Sequence, residues 1–241
     1  MTTLILATRN AHKAREIQAI LANPRLALRQ LTLKNFPAAP AVVEDAATFS
    51  GNATKKAVEL ARWLSQFQIS NLQLEAGAAA FVLADDSGLE VDALQGAPGV
   101  HSARFAALDT GETGNSSDAA NNAKLLRLLQ NVPVEKRTAR FRCVLALTPL
   151  IVADRESASP VCAADAFELR TELFEGACEG RIEAAPRGTG GFGYDPLFIP
   201  SGHEQSFAEL GEATKNLLSH RARALSRLRE RLMAIGRASQ A

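Results

Sequence analysis

Short apolar runs alternate with stretches of helical periodicity along this chain, and that alternation limits the fold more than any other feature. Leu4–Ala7 is strand-like, Asn10 is a good N-cap, and Ile17, Ile20 and Leu21 then recur at helical spacing. Residues 27–32 read as a second strand. Residues 48–66 form an amphipathic helix with Ala57, Leu60, Ala61 and Leu64 on one face. LQLEAGAAA (72–80) reads as a surface loop or linker, and FVLADD (81–86) as a buried strand ending in two acids. GLEVDAL (88–94) continues as a short extended piece, and LQGAPGVHSARF (94–105) has the Gly and Pro density of a turn-rich loop. Residues 116–130 read as a helix capped by Ser116 or Ser117. Two long β-like stretches follow, 138–153 and 160–180, paired antiparallel across a hairpin-like loop at 153–160. A short strand at 197–199 and a helix from about Thr214 complete the chain. The pattern predicts an α/β fold, with a mixed sheet because of the paired strands.

Composition removes several function classes. The net charge of +1 lacks the basic excess of a general nucleic-acid binder. The apolar stretch Val144–Val152 contains Thr148 and Pro149 and is too short to cross a bilayer. The first apolar segment has four residues and runs straight into Thr8-Arg9-Asn10, unlike a secretory signal. Cys143, Cys162 and Cys178 are odd in number and lack CxxC spacing, as expected of free thiols in a reducing compartment. The expectation is a soluble, cytoplasmic protein.

Three groups of residues carry chemistry. Gly188-Thr189-Gly190-Gly191-Phe192-Gly193 matches GxGxxG, but Tyr194-Asp195-Pro196 and a β-like run follow it instead of a helix. That context argues against a dinucleotide fingerprint. It favours a loop whose backbone can approach a ligand closely and which presents Phe192 and Tyr194, an aromatic there either stacking on a planar base or, for Phe192, tucking into the core. Asp85 and Asp86 end a strand, where α/β sheets place ligands, and Glu44-Asp45 is a second acidic pair. Spacing leaves open which of the acids faces a site; with no His/Cys cluster, such oxygens suit Mg²⁺. Finally, Arg9, His12 and Lys13 crowd a helix start, where the macrodipole disfavours each exposed cation by roughly 0.3–1 kcal/mol. The placement makes sense if an anion binds there, because a helix N-terminus already offers free N–H groups to phosphate.

Five segments then match a known family in order: TRNAHK at 8–13, VVEDAATFSGNATKKA at 42–57, ADDSGLEVDALQGAPGVHSARF at 84–105, GTGGFGYDPLF at 188–198 and KNLLSHRARAL at 215–225. The chain resembles the inosine triphosphate pyrophosphatase family along nearly its whole length. The resemblance implies hydrolysis of ITP, dITP and XTP to monophosphate and pyrophosphate, which keeps these nucleotides out of DNA and RNA. It implies one domain over residues 1–241, an elongated mixed sheet with two α/β lobes around a nucleotide cleft, and a homodimer. By position, Thr8, Arg9, Asn10, Ala11, His12 and Lys13 would form the phosphate loop, and Glu44 and Asp86 would hold Mg²⁺. Asp86 would also accept the proton of the attacking water, with Asp85 and Lys56 supporting that centre. Ser87 would touch substrate, and Phe192, Gly193, Tyr194 and Asp195 would frame the base, Phe192 by stacking. Lys215, His220 and Arg221 would complete the pocket, with Arg221 and His220 reading the 6-keto oxygen. Arg9 stands where the family commonly has Gly, and the segments 68–80 and 150–163 look longer than in compact members.

Two alternatives remain at this level. One is a nucleotide sensor without catalysis, against which intact Glu44, Asp85, Asp86 and Lys13 count. The other is a nucleic-acid surface on Arg221, Arg223, Arg227, Arg229 and Arg231. Leu225, Leu228 and Leu232 give that helix an apolar stripe and favour a packing role.

Overall fold

A computed structural model describes residues 1–67, 72, 78–150 and 167–238. Cys162, the loop at 153–160, most of the linker at 72–80 and most of the two long segments at 68–80 and 150–163 lie outside the described residues. Six strands form one sheet: β1 (Thr2–Leu6), β2 (Leu28–Thr32), β3 (Ala80–Val91), β4 (Thr138–Pro149), β5 (Glu172–Ile182) and β6 (Phe198–Pro200), in the order β2-β1-β3-β4-β5-β6. β1 pairs parallel with both β2 and β3, and β6 pairs antiparallel with β5. Side-chain and backbone contacts give the remaining directions. Leu150 N–H donates to Ala80 while Thr138 reaches Asp92, so β3 and β4 run in opposite senses. Ile182 N–H donates to Arg137 while Thr148 meets Thr171, so β4 and β5 are also antiparallel. The mixed α/β sheet expected from the sequence is present.

The helices are α1 (Ala11–Leu21), α2 (Phe49–Phe67), α3 (Asp118–Leu129), α4 (Phe207–Leu218) and α5 (His220–Ala238). Asn10 caps α1, its side chain accepting from His12 and Lys13 N–H, and Ser117 caps α3. The turn-rich loop folds into short 3₁₀ segments, Asp92–Leu94 and Gly99–Arg104.

Three expectations need correction. Asp85 and Asp86 do not end a strand: β3 continues through them to Val91, with Leu89 and Val91 buried and Glu90 only partly so. Burial of Gly88, Leu89 and Val91 outweighs the Ser87-Gly88 dipeptide, which reads locally as a breaker. The last helical region starts at Phe207 instead of Thr214, through a capping box in which Ser206 and Glu209 bond reciprocally. Gly211, at φ 79°, kinks α4 and hides its first turn from a periodicity count. Finally, Ser219 does not lie within a helix. Its ψ of 161° ends α4, and its hydroxyl accepts from Ala222 N–H at the start of α5.

The chain divides into two compact units. The first comprises residues 1–86, 144–174 and 224–241, and the second residues 87–143 and 175–223. In the first, Leu4, Ile5 and Leu6 of β1, Ile17 and Leu21 of α1, and Ala53, Ala57, Leu60, Ala61 and Leu64 of α2 are buried. Leu225, Leu228 and Leu232 of α5 are buried as well, so the apolar stripe of the arginine-rich helix packs. Arg231 forms a bidentate pair with Glu172, which engages one of that helix's cations. The core of the second unit is aromatic. Phe141 and Phe207 each pack against Phe198, at 4.7 and 5.2 Å between ring centroids. Such pairs contribute roughly 0.5–1.5 kcal/mol each beyond area burial. Among the described residues no helix is long and apolar enough to cross a membrane.

Candidate functional site

In the first unit, α1, α2 and β3 bring five of the predicted residues together with one that sequence reasoning passed over. β3 carries Asp85 and Asp86, both buried. Lys13, on the first turn of α1, places its Nζ 2.6 Å from Asp85 Oδ1. Lys56 of α2 donates to the Asp85 carbonyl at 2.8 Å and to Asp86 Oδ1 at 3.1 Å, and lies 3.3 Å from Glu44 Oε2. Asn52, one turn earlier on the same face of α2, donates to Asp86 Oδ2 at 3.2 Å. Asn52 is fully buried, and its spacing of four from Lys56 within NATKK was the signal available in the sequence.

Burial raises the Asp86 carboxyl above the ordinary carboxylate range. The Lys56 and Lys13 ammoniums pull it back, and the Glu44 charge raises it further. A carboxylate in that condition holds a proton more readily than an exposed one, which suits a general base. Among the described residues no three His, Cys, Asp or Glu side chains form a metal-holding group. The oxygens of Glu44 and Asp86 nevertheless converge on one cation, the Lys56 ammonium. Two hard carboxylate oxygens brought to one cation are the donor type that a divalent metal takes.

The rest of the predicted phosphate loop is exposed or half-exposed. Thr8 Oγ1 accepts from Asn10 N–H, Ala11 and His12 are at the surface, and His12 Nδ1 meets Arg15 at 2.8 Å. Arg9 was expected as a further cation beside the phosphates. Its guanidinium instead donates to the Ala39 carbonyl at 2.8 Å, which ties the 36–40 loop to the end of β1.

In the second unit the glycine loop carries the other group. Lys215 and Asp195 form a 2.6 Å ion pair with side chains only 3% and 2% exposed. Asp195 Oδ2 also accepts from Phe192 N–H at 2.9 Å, and the Lys215 ammonium lies 4.4 Å from the Phe192 ring centroid. Gly191 adopts φ 74°, and a Cβ there would collide with the Asp195 carboxylate, so only glycine closes this loop. Phe192 is half-buried, with a cation against its ring, and is not sunk in the core. Tyr194 is the residue that packs inward. Its hydroxyl donates to the Ser102 carbonyl at 2.8 Å, and burial raises its phenol far above the ordinary range. Tyr194 therefore supports the loop from beneath and does not present its ring to a base. Two further supports come from α3, whose Asp118 accepts from Gly193 N–H and whose Asn122 donates to Gly193 O. Their spacing of four on a predicted helix was visible; their partner 71 or more residues away was not. Arg221, in the first turn of α5, is 1% exposed and donates to Ser87 Oγ at 2.8 Å. His220 is buried, its ring stacked on Phe141 at 4.8 Å.

Residues 4–231 match the model of the Ham1 family, and the chain belongs to that family. It is 46% identical over 232 residues to a dITP/XTP pyrophosphatase of Geobacter sulfurreducens, covering 96% of this chain and 97% of that protein. A dITP/XTP pyrophosphatase of Shouchella clausii is 42% identical over 235 residues, covering 98% of each. Among solved structures, a HAM1 protein from Coxiella burnetii superposes with a TM-score of 0.73 at 33% identity, covering 97% of this chain and all of that one.

Proposed function

We propose that this protein is a nucleoside triphosphate pyrophosphatase that hydrolyses non-standard purine nucleotides such as ITP, dITP and XTP to the monophosphate and pyrophosphate. The observation that carries the reading is the convergence of the Glu44 and Asp86 carboxylates on the Lys56 ammonium, beside Lys13 at the start of α1. Its relatives named dITP/XTP pyrophosphatase support the same activity. Asp86 accepts a proton from water as the water oxygen bonds to the α-phosphorus. The bond from that phosphorus to the α,β-bridging oxygen breaks, and pyrophosphate leaves with the electron pair. Lys13 meets the departing charge, while Asp85 and Lys56 keep Lys13 and Asp86 in place. Mg²⁺ held by Glu44 and Asp86 would supply Lewis-acid charge to the phosphate oxygens.

Phe192 stacks on the purine, backed by Lys215. Arg221 and His220 donate to the 6-keto oxygen, which inosine and xanthine present and adenine replaces with an amino donor. A buried donor left unmatched discriminates strongly against the wrong base. Guanine shares the 6-keto group, so its rejection turns on the 2-amino position. The resemblance further supports a cytoplasmic homodimer, which light scattering on the purified protein tests directly.

A nucleotide panel scored for both products decides the activity. Purified protein with Mg²⁺ converts ITP or XTP to monophosphate plus pyrophosphate faster than it acts on ATP. Release of orthophosphate from the γ position would refute the cleavage site, and tight ITP binding without turnover would make the protein a sensor.

A further inference from the structure

We infer that Asn52 is a positioning residue for the reaction, orienting the Asp86 carboxylate and linking it to the segment that carries Glu44. The inference rests on the reading of Asp86 given above. The Asn52 carboxamide is fully buried and bonded at both ends: Nδ2 donates to Asp86 Oδ2 at 3.2 Å, and Oδ1 accepts from Ala46 N–H at 2.9 Å. Ala46 stands two residues after Glu44. One rigid amide therefore joins the two acidic elements of the centre, β3 and the loop ahead of α2.

Asp86 cannot turn freely while both oxygens are engaged, Oδ1 by Lys56 and Oδ2 by Asn52. Both holders sit four residues apart on α2, so a single helix face sets the plane of the carboxylate. Without the amide donor, Asp86 rotates about its terminal torsion, which is intrinsically broad for aspartate. Its lone pairs then point away from the water they must deprotonate. Asn52 has no role in grasping substrate, since its side chain is wholly enclosed.

The experiment uses Asn52→Leu and Asn52→Ala in the whole chain, with ITP and Mg²⁺. Asn52→Leu keeps the size and adds no charge but removes the donor to Asp86. A purely structural role would lower stability and leave kcat and KM of the folded enzyme at parent values. The expected result is a folded far-ultraviolet spectrum, KM nearly unchanged, and kcat lower by on the order of 100-fold, the loss that a misplacement near 1 Å produces. Parent-level kcat in Asn52→Leu overturns the inference, as does a loss expressed in KM alone. If Asn52→Leu fails to fold, Asn52→Ala decides by the same two criteria. Asp86→Asn run in parallel separates the two readings. Full activity there removes Asp86 from the base role, whereas an inactive Asp86→Asn beside a fully active Asn52→Leu defeats only the positioning role.

Discussion

Lys13 and Lys215 each hold an aspartate at 2.6 Å, yet the two ion pairs serve opposite ends. The Lys13 side chain is 15% exposed above a fully enclosed Asp85, whereas Lys215 and Asp195 are 3% and 2% exposed. A lysine with its ammonium partly open to solvent can keep its carboxylate and still offer an N–H to a phosphate, because an ammonium carries three donors. A lysine enclosed together with its aspartate has no such open side, and its charge is spent on the buried pair. In the proposed function the first pair belongs to the chemistry. The second is a bolt that locks the glycine loop through the Phe192 N–H and ring. Contact distance alone does not distinguish them; burial does.

Four substitutions and one change of pH can break or sharpen that contrast. The largest effect falls on Asp86→Asn, which retains shape but not basicity: kcat for ITP drops roughly 10²–10⁴-fold with nucleotide affinity preserved, as read by steady-state kinetics and calorimetric titration. Next is Lys215→Met, which leaves Asp195 charged and buried. Denaturant unfolding should show a loss of about 3–5 kcal/mol, and Lys13→Met, which strands the equally enclosed Asp85, should lose stability as well; the two separate in kcat at saturating ITP, which falls in Lys13→Met. Equal kcat losses in the two folded variants would erase the distinction. Phe192→Ala is milder, weakening nucleotide binding by about 1–3 kcal/mol if the ring stacks on the base, with little change in kcat at saturation. The smallest effect is electrostatic. In metal-free protein, burial holds the Asp86 pKa above its unfolded value, so proton binding favours the fold. The corresponding stability is present below the ordinary carboxylate pKa and is lost as pH rises through the raised value. Melting curves in chelator should show that decline in the parent and not in Asp86→Asn.

Much of the fold is legible because it is written locally. Asn10 and Ser117 are caps with side chains that satisfy free N–H groups, and β1, β2, α2 and α3 follow from period and composition. The corrected elements have two causes. β3 runs through Asp85-Asp86-Ser87-Gly88 because Lys13, Lys56 and Asn52, from 30 or more residues away, satisfy acids that would otherwise end a buried strand. The kink at Gly211 and the break at Ser219 each alter a backbone angle without altering the apolar count.

The site shows the same division. Residue types and spacing were enough to single out Lys13, the acid pairs Glu44-Asp45 and Asp85-Asp86, and Phe192, since cations at a helix start, clustered acids and a glycine-flanked aromatic are unusual in themselves; Lys56, Arg221 and the choice among the acids came only from the resemblance to a family. Tertiary structure alone decided what each side chain does with its charge or ring. It turned Arg9 onto the Ala39 carbonyl, put Tyr194 beneath the loop, enclosed Lys215 with Asp195 and drew Asn52 into the centre. The reason is physical. A hydrogen-bond partner and a degree of burial depend on distances between residues far apart in the chain, and periodicity carries information only about neighbours.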